Sequence, residues 1–128
     1  MVDYSTLPMP GPVRTLHWEA SSRKDLMAMP ATVRKDLGVA LLVVQMGRTP
    51  PCAKAWRGLG PGVYELVDDH MGDAFRAVYC VGLGDAVHVL HVFQKKSKRG
   101  VATPLTEVAR VERRFKALLA RYGRNGRK

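Results

Sequence analysis

Three strand-like runs follow one another between residues 63 and 95, joined by connections of only a few residues. Val63 to Val67 comes first, then the polar turn Asp-Asp-His-Met-Gly-Asp, then Phe75 to Leu83. Gly84-Asp85 is a tight-turn signal, and Val87 to about Lys95 is the third run. A parallel pairing needs a crossover of about a dozen residues or more, so runs this close form an antiparallel meander. The rest of the chain has to be arranged around it.

Ahead of the meander, Thr15–Ala20 reads as a first strand with Leu16 and Trp18 on one face. Ser22 followed by Asp25 resembles a capping box and predicts a short helix, and Pro30 opens a second. In that second helix Val33, Leu37, Ala40, Leu41 and Val44 form one apolar stripe, with Arg34, Lys35 and Asp36 on its far side and Gly47 as the stop. Thr49 to Gly62 is rich in proline, glycine and cations and reads as a loop carrying Lys54, Trp56 and Arg57. After the meander, the basic loop Lys95–Gly100 leads to Thr103-Pro104, a cap and first turn for a final helix. Its docking face is Val108, Val111, Phe115, Leu118, Leu119 and Tyr122, with Arg110, Arg113, Arg114 and Arg121 facing elsewhere. The order β-α-α-β-β-β-α predicts a small α+β domain: an N-terminal strand and helical hairpin packed on an antiparallel sheet, then a C-terminal helix, with the helices on one sheet face. A chain of 128 residues is one domain's worth. Residues 15–122 are assigned to it, 1–14 to a flexible lead-in and 123–128 to a basic tail.

Charge narrows the function. The net charge is +10, yet residues 1–85 carry nine Lys/Arg and nine Asp/Glu, so the whole excess lies in residues 86–128. A localised positive field attracts polyanions, which points to nucleic acid or the ribosome. A membrane is excluded as a partner, because no large amphipathic anchor accompanies the charge and no apolar run approaches the roughly 20 residues of a bilayer span. Cys52 and Cys80 are too few for a disulfide framework or zinc site, and the start Met1-Val2-Asp3-Tyr4 lacks a secretory pattern. A cytoplasmic protein is expected.

The chemistry has to come from cations. The chain has no phosphate-binding glycine loop ahead of a helix, no HExxH and no paired-cysteine motif, so neither a small-molecule cofactor nor a metal is expected. His88 and His91, three apart on a strand, should point to opposite faces. Arg76 sits inside the central strand, either as a partner for Glu65 on the next strand or facing a cleft to hold a phosphate. Only one of Lys95 and Lys96 should share its face. Arg57 before the sheet and Lys98 and Arg99 after it would close a ring of positive charge suited to phosphate oxygens.

Four segments in order resemble RelE/HigB-type toxins of bacterial toxin–antitoxin systems, most closely the phage-derived HigB-like branch. Phe75-Arg76-Ala77-Val78-Tyr79 is similar to the family's YRxxY strand, and Val89 to Lys98 to the hxFxKK end of its last strand. Lys54-Ala55-Trp56-Arg57-Gly58-Leu59 resembles KxLKGL, and Val63-Tyr64-Glu65-Leu66 resembles hxEL. The resemblance spans roughly residues 15–122. It implies a metal-independent endoribonuclease that cuts messenger RNA on the ribosome and is neutralised by a small helix-turn-helix antitoxin. It further implies that Arg76 clamps the scissile phosphate, that Lys95 or Lys96 stabilises the developing charge, and that Lys54 and Arg57 place the RNA. His91 is a candidate acid or base, or else a strand histidine packed under the last helix. The strand after the loop carries Glu65 where the RelE branch has lysines, so Glu65 either substitutes for a lost base or tethers Arg76. Two other readings share the fold: a non-catalytic RNA- or ribosome-binding module, and an inactive phage-derived relic.

Overall fold

The computed structural model describes residues 13–95 and 102–125. In chain order these form β1 (Thr15–Trp18), α1 (Ser22–Met27), α2 (Ala31–Gln45), β2 (Ala53–Ala55), β3 (Val63–His70), β4 (Asp73–Leu83), β5 (Ala86–Lys95) and α3 (Leu105–Asn125). One five-stranded sheet holds all the strands in the order β1-β5-β4-β3-β2.

The expected meander is its centre, with β3, β4 and β5 paired antiparallel. The first turn is tighter than the polar run suggested. Asp68–His70 continue β3, and the connection is Met71-Gly72 alone, at φ of 51° and 86°. Two consecutive positive φ values give a turn whose twist matches that of the flanking strands. Two edges differ from expectation. β1 joins β5 in parallel, so the sheet is mixed rather than wholly antiparallel. The loop before the meander contains the short edge strand β2, antiparallel to β3.

The helices cover both sheet faces, not one, and the pattern within the central strands explains why. On β4, Phe75, Ala77 and Tyr79 pack with Val33, Leu37, Leu41 and Val44 of α2 and Leu26 of α1. The alternate residues Val78 and Cys80 pack with Val111 and Leu118 of α3. β5 is buried from Ala86 to Phe93, so neither face of it can be left to water. Each fully buried Val, Leu or Phe contributes roughly 1.5–3 kcal/mol, which favours a helical layer on either side.

A register shift between Val78 and Tyr79 reorients β5. Val78 is opposite His91 but Tyr79 is opposite Val89, leaving Leu90 as an extra residue. Such a bulge breaks the period of two. His88, opposite Cys80, and His91, opposite Val78, therefore share the α3 face, against the expectation of opposite faces.

The capping serine is also displaced by one position. Ser21 donates to Asp25 Oδ2 at 2.8 Å, whereas Ser22 is fully buried and donates to the Val89 carbonyl at 3.2 Å. Among the described residues, no helix is long and apolar enough to cross a membrane.

Candidate functional site

The α3 face of the sheet opens into a cleft of about 460 Å³ between the β2–β3 loop and the start of α3. Glu65 and Arg76 line it from β3 and β4, Trp56 and Arg57 from the loop, and Thr103, Leu105 and Val108 from the α3 side. Three candidates from the sequence thus meet here: Arg57, Glu65 and Arg76.

Arg76 answers both readings of its place in the strand. Its Nη1 donates to Glu65 Oε1 at 2.7 Å, with the two side chains 16 % and 10 % exposed. The same nitrogen lies 3.5 Å from Thr103 Oγ1, a contact at the limit of a hydrogen bond. Its Nε is buried and has no hydrogen-bond partner among the described residues. A guanidinium has five N–H donors in a fixed fork. Nη1 is committed to the carboxylate and Nε is closed off from solvent, so an anionic oxygen in the cleft would meet the guanidinium through the 16 % of the side chain that stays exposed.

The loop wall is held by backbone bonds. Trp56 N–H donates to the Val63 carbonyl at 2.9 Å, and Val81 N–H to the Gly62 carbonyl at 2.9 Å. These bonds bring Trp56, itself buried, against Val63 and Val78, and leave Arg57 exposed at the rim. Lys54 lies on β2 opposite Glu65, exposed, and does not line the cleft. Lys95 is paired with Ala74, two residues past Phe93, which faces Arg76 across the ladder. Strand alternation therefore puts Lys95 on the Arg76 face. Lys96, Lys98 and Arg99 lie outside the described residues.

His91 is placed elsewhere on that face, under α3. Arg114 Nη1 donates to its Nδ1 at 3.0 Å and to the Leu90 carbonyl at 3.0 Å. Nδ1 is therefore an acceptor, and Nε2–H donates to Glu107 Oε1 at 2.8 Å. Burial is the main cause holding its pKa below the ordinary 6.5, and the Glu107 hydrogen bond opposes that shift. The imidazole is a buried neutral tie between β5 and the first turn of α3. Among the described residues, no group of three or more His, Cys, Asp and Glu side chains is placed to hold a metal ion.

Residues 24–116 match the family described as phage-derived protein, Gp49-like (DUF891). The chain belongs to the Gp49-like family. The fold of this Gp49-like chain is similar to that of the isolated E. coli RelE toxin, at 25 % identity and a TM-score of 0.52. That match covers 78 % of this chain and 97 % of the RelE chain. A more distant likeness, at 20 % identity and a TM-score of 0.45, is to the RelBE2 toxin–antitoxin complex of Mycobacterium tuberculosis, over 66 % of this chain and 94 % of that one. No curated protein matches the sequence. The resemblance to RelE-type toxins read from the four motifs is thus met in family and fold.

Some residues that shape the Gp49-like site escaped the sequence reading. Thr103 stood out as a cap, not as a neighbour of Arg76. Glu107 holds His91, and Glu19 holds Arg121 and lies 3.3 Å from His88 Nδ1. Val108, Val111, Phe115, Leu118 and Tyr122 of α3 dock as expected, while Leu119 is exposed, Arg114 reaches in to the Leu90 carbonyl, and Arg121 pairs with Glu19 from the surface. Arg114 left no signal in the sequence, since its partners are the Leu90 carbonyl, His91 Nδ1 and Ser21 Oγ.

Proposed function

We propose that this chain is the toxin of a toxin–antitoxin pair: a metal-independent endoribonuclease that cuts messenger RNA on the ribosome, in the cytoplasm, and is neutralised by a helix-turn-helix antitoxin. The observation carrying the proposal is Arg76, a half-buried guanidinium tethered to Glu65 at the wall of an open cleft in a RelE-like fold. A phosphodiester oxygen is the ligand such a guanidinium fits best.

The reaction that suits these groups is attack of a ribose 2′-oxygen on the adjacent phosphorus, with the 5′-oxygen leaving. The products are a 2′,3′-cyclic phosphate and a 5′-hydroxyl. One proton is lost from the 2′-hydroxyl and one is gained by the leaving oxygen, so the step balances without water. Arg76 binds a non-bridging phosphate oxygen as its charge builds, the kind of preorganised stabilisation worth about 10²–10³ in rate per donor. Glu65, in contact with Arg76, is the nearest carboxylate to take the 2′ proton. Lys95, or Lys96 beyond it, adds positive charge on the departing side, and Arg57 and Lys54 steer the strand into the cleft.

Induced expression of wild type and Arg76→Ala tests the proposal. Growth arrest with new 5′ ends inside translated codons, both absent in the variant, is the expected result. Arrest without cuts would favour a binding module that blocks ribosomes.

A further inference from the structure

The cleft lies on the α3 side of the sheet, and the outer side of α2, on the opposite side, has no role in it. There Val39, Leu42 and Met46 are 55 %, 48 % and 38 % exposed, and the half-buried Val43 lies among them. Positions 39, 42, 43 and 46 fall at the three- and four-residue steps that share one helix face. Apolar side chains scattered singly on a surface need no explanation, but a seam of four does. α2 thus carries two apolar stripes, one against the sheet and one facing away.

Gly38 lies in the same seam, one turn before Leu42. A Cβ there would meet nothing within 4 Å. Glycine within a helix costs about 1 kcal/mol relative to alanine, and nothing described in this chain uses the space it leaves. A second backbone approaching the seam closely would use it.

The ends of the seam decide what approaches. Arg34 and Lys35 stand one turn before Gly38 and Val39, and Arg48 stands just beyond Met46, all exposed, while the neighbouring Asp36 is drawn to Asp68 on β3 by a side-chain hydrogen bond. Two copies packed antiparallel along the seam would set Arg34 and Lys35 of one against Arg48 of the other. Packed in parallel, they would set like charge on like. A net charge of +10 on each copy adds to the repulsion. We infer that the outer seam of α2 docks an amphipathic helix of a different protein, apolar along its centre and bearing carboxylates toward both ends. Such a partner binds without filling the Arg76 cleft, so this inference stands independently of the RNA-cleaving reading.

The test uses the full chain and two fluorescein-labelled synthetic helices of about five turns. Both carry leucines at the seam spacing; one has glutamates at its two ends, the other lysines. The glutamate helix is expected to bind at least about tenfold more tightly and to shift the backbone amides of residues 38–46. Leu42→Asp, Arg48→Glu and Gly38→Leu should each weaken it by about tenfold or more, with unchanged circular dichroism, while Arg76→Ala leaves it unaltered. Equal binding of the two helices, or binding indifferent to Leu42→Asp, overturns the inference. Self-association lost on Leu42→Asp would assign the seam to a second copy. Binding that appears only after removal of residues 1–12 would assign it to the start of this chain. Either result overturns it as well.

Discussion

Arg76 and Glu65 pair diagonally across the β3–β4 ladder: Arg76 is opposite Val67 and Glu65 is opposite Val78, yet their side chains meet at 2.7 Å on the cleft face. Diagonal neighbours are within reach only of long side chains, and an arginine and a glutamate are long enough. The pair keeps a buried carboxylate compensated and holds the guanidinium at the wall of the cleft. Breaking either half therefore leaves the other partly desolvated and uncompensated. Glu65→Ala should cost about 3 kcal/mol in urea unfolding, and Glu65→Ala with Arg76→Ala together should cost clearly less than the sum of the two singles. Additive losses would mean that the ion pair does not couple the two strands.

Burial lowers the pKa of both His88 and His91. The unfolded chain, with its histidines near 6.5, binds protons more readily below that pH than the folded chain does. The contribution of these two histidines is therefore full above about pH 7 and falls as the pH drops through 6.5 toward 5. Measured in an Asp68→Asn background, which removes an acid of opposite pH dependence, urea midpoints at pH 7, 6 and 5 should decrease in that order, and His91→Gln should flatten the decline. A midpoint rising toward pH 5 would contradict the neutral, Nε2-protonated His91 held between Arg114 and Glu107.

On the opposite sheet face, Asp68 is pushed up to about 6, chiefly by burial and then by the neighbouring Asp36 carboxyl. For an acid with a raised folded pKa, the stabilising contribution is full below the unfolded value of 3.8 and is lost as pH rises through 6. At pH 7.5 the two carboxylates repel. Asp68→Asn is expected to stabilise the fold by about 1 kcal/mol there, a figure reduced for the solvent that reaches Asp68, and to change nothing at pH 4. Thermal unfolding at the two pH values reads this directly, and equal effects at both would refute the pairing.

Gly62 fixes the loop that carries Trp56 and Arg57. Its φ is +91°, and a Cβ there would lie 2.8 Å from the Val81 carbonyl oxygen, a backbone atom that cannot move aside cheaply. Gly62→Ala should cost about 2 kcal/mol or more, against about 1 kcal/mol for Gly58→Ala, which has φ of +101° but open space around it. The comparison separates the steric contact from left-handed strain, and a Gly58→Ala loss as large as that of Gly62→Ala would show that strain alone matters.

The meander was legible because short turns leave consecutive strands no other pairing, and the apolar stripe of α2 showed itself through its period. β2 was not, since Ala53-Lys54-Ala55 has no strand-forming residue and follows two prolines. The parallel partnership of β1 with β5 is non-local and leaves no trace in either segment. The bulge that turns His91 toward α3 has no composition signature, because Val89-Leu90-His91-Val92 reads the same with or without an extra residue. Arg76, Glu65 and Arg57 were found as a group since motif order and strand position both marked them. Arg114 of α3 was misplaced because charge alone suggested solvent, whereas the Leu90 carbonyl and His91 gave it partners on the sheet.

The central claim is that Arg76 acts on a phosphate in the reaction and is more than a strut for Glu65. Single-turnover cleavage of messenger RNA on programmed ribosomes, by wild type, Arg76→Ala and Arg76→Lys, tests it most directly. The account predicts a loss of about 10²–10³ in rate for Arg76→Ala, partial recovery for Arg76→Lys, and RNA ends bearing a 2′,3′-cyclic phosphate. Cleavage by a folded Arg76→Ala at the wild-type rate would contradict it, and would leave Arg76 as the structural partner of Glu65 alone.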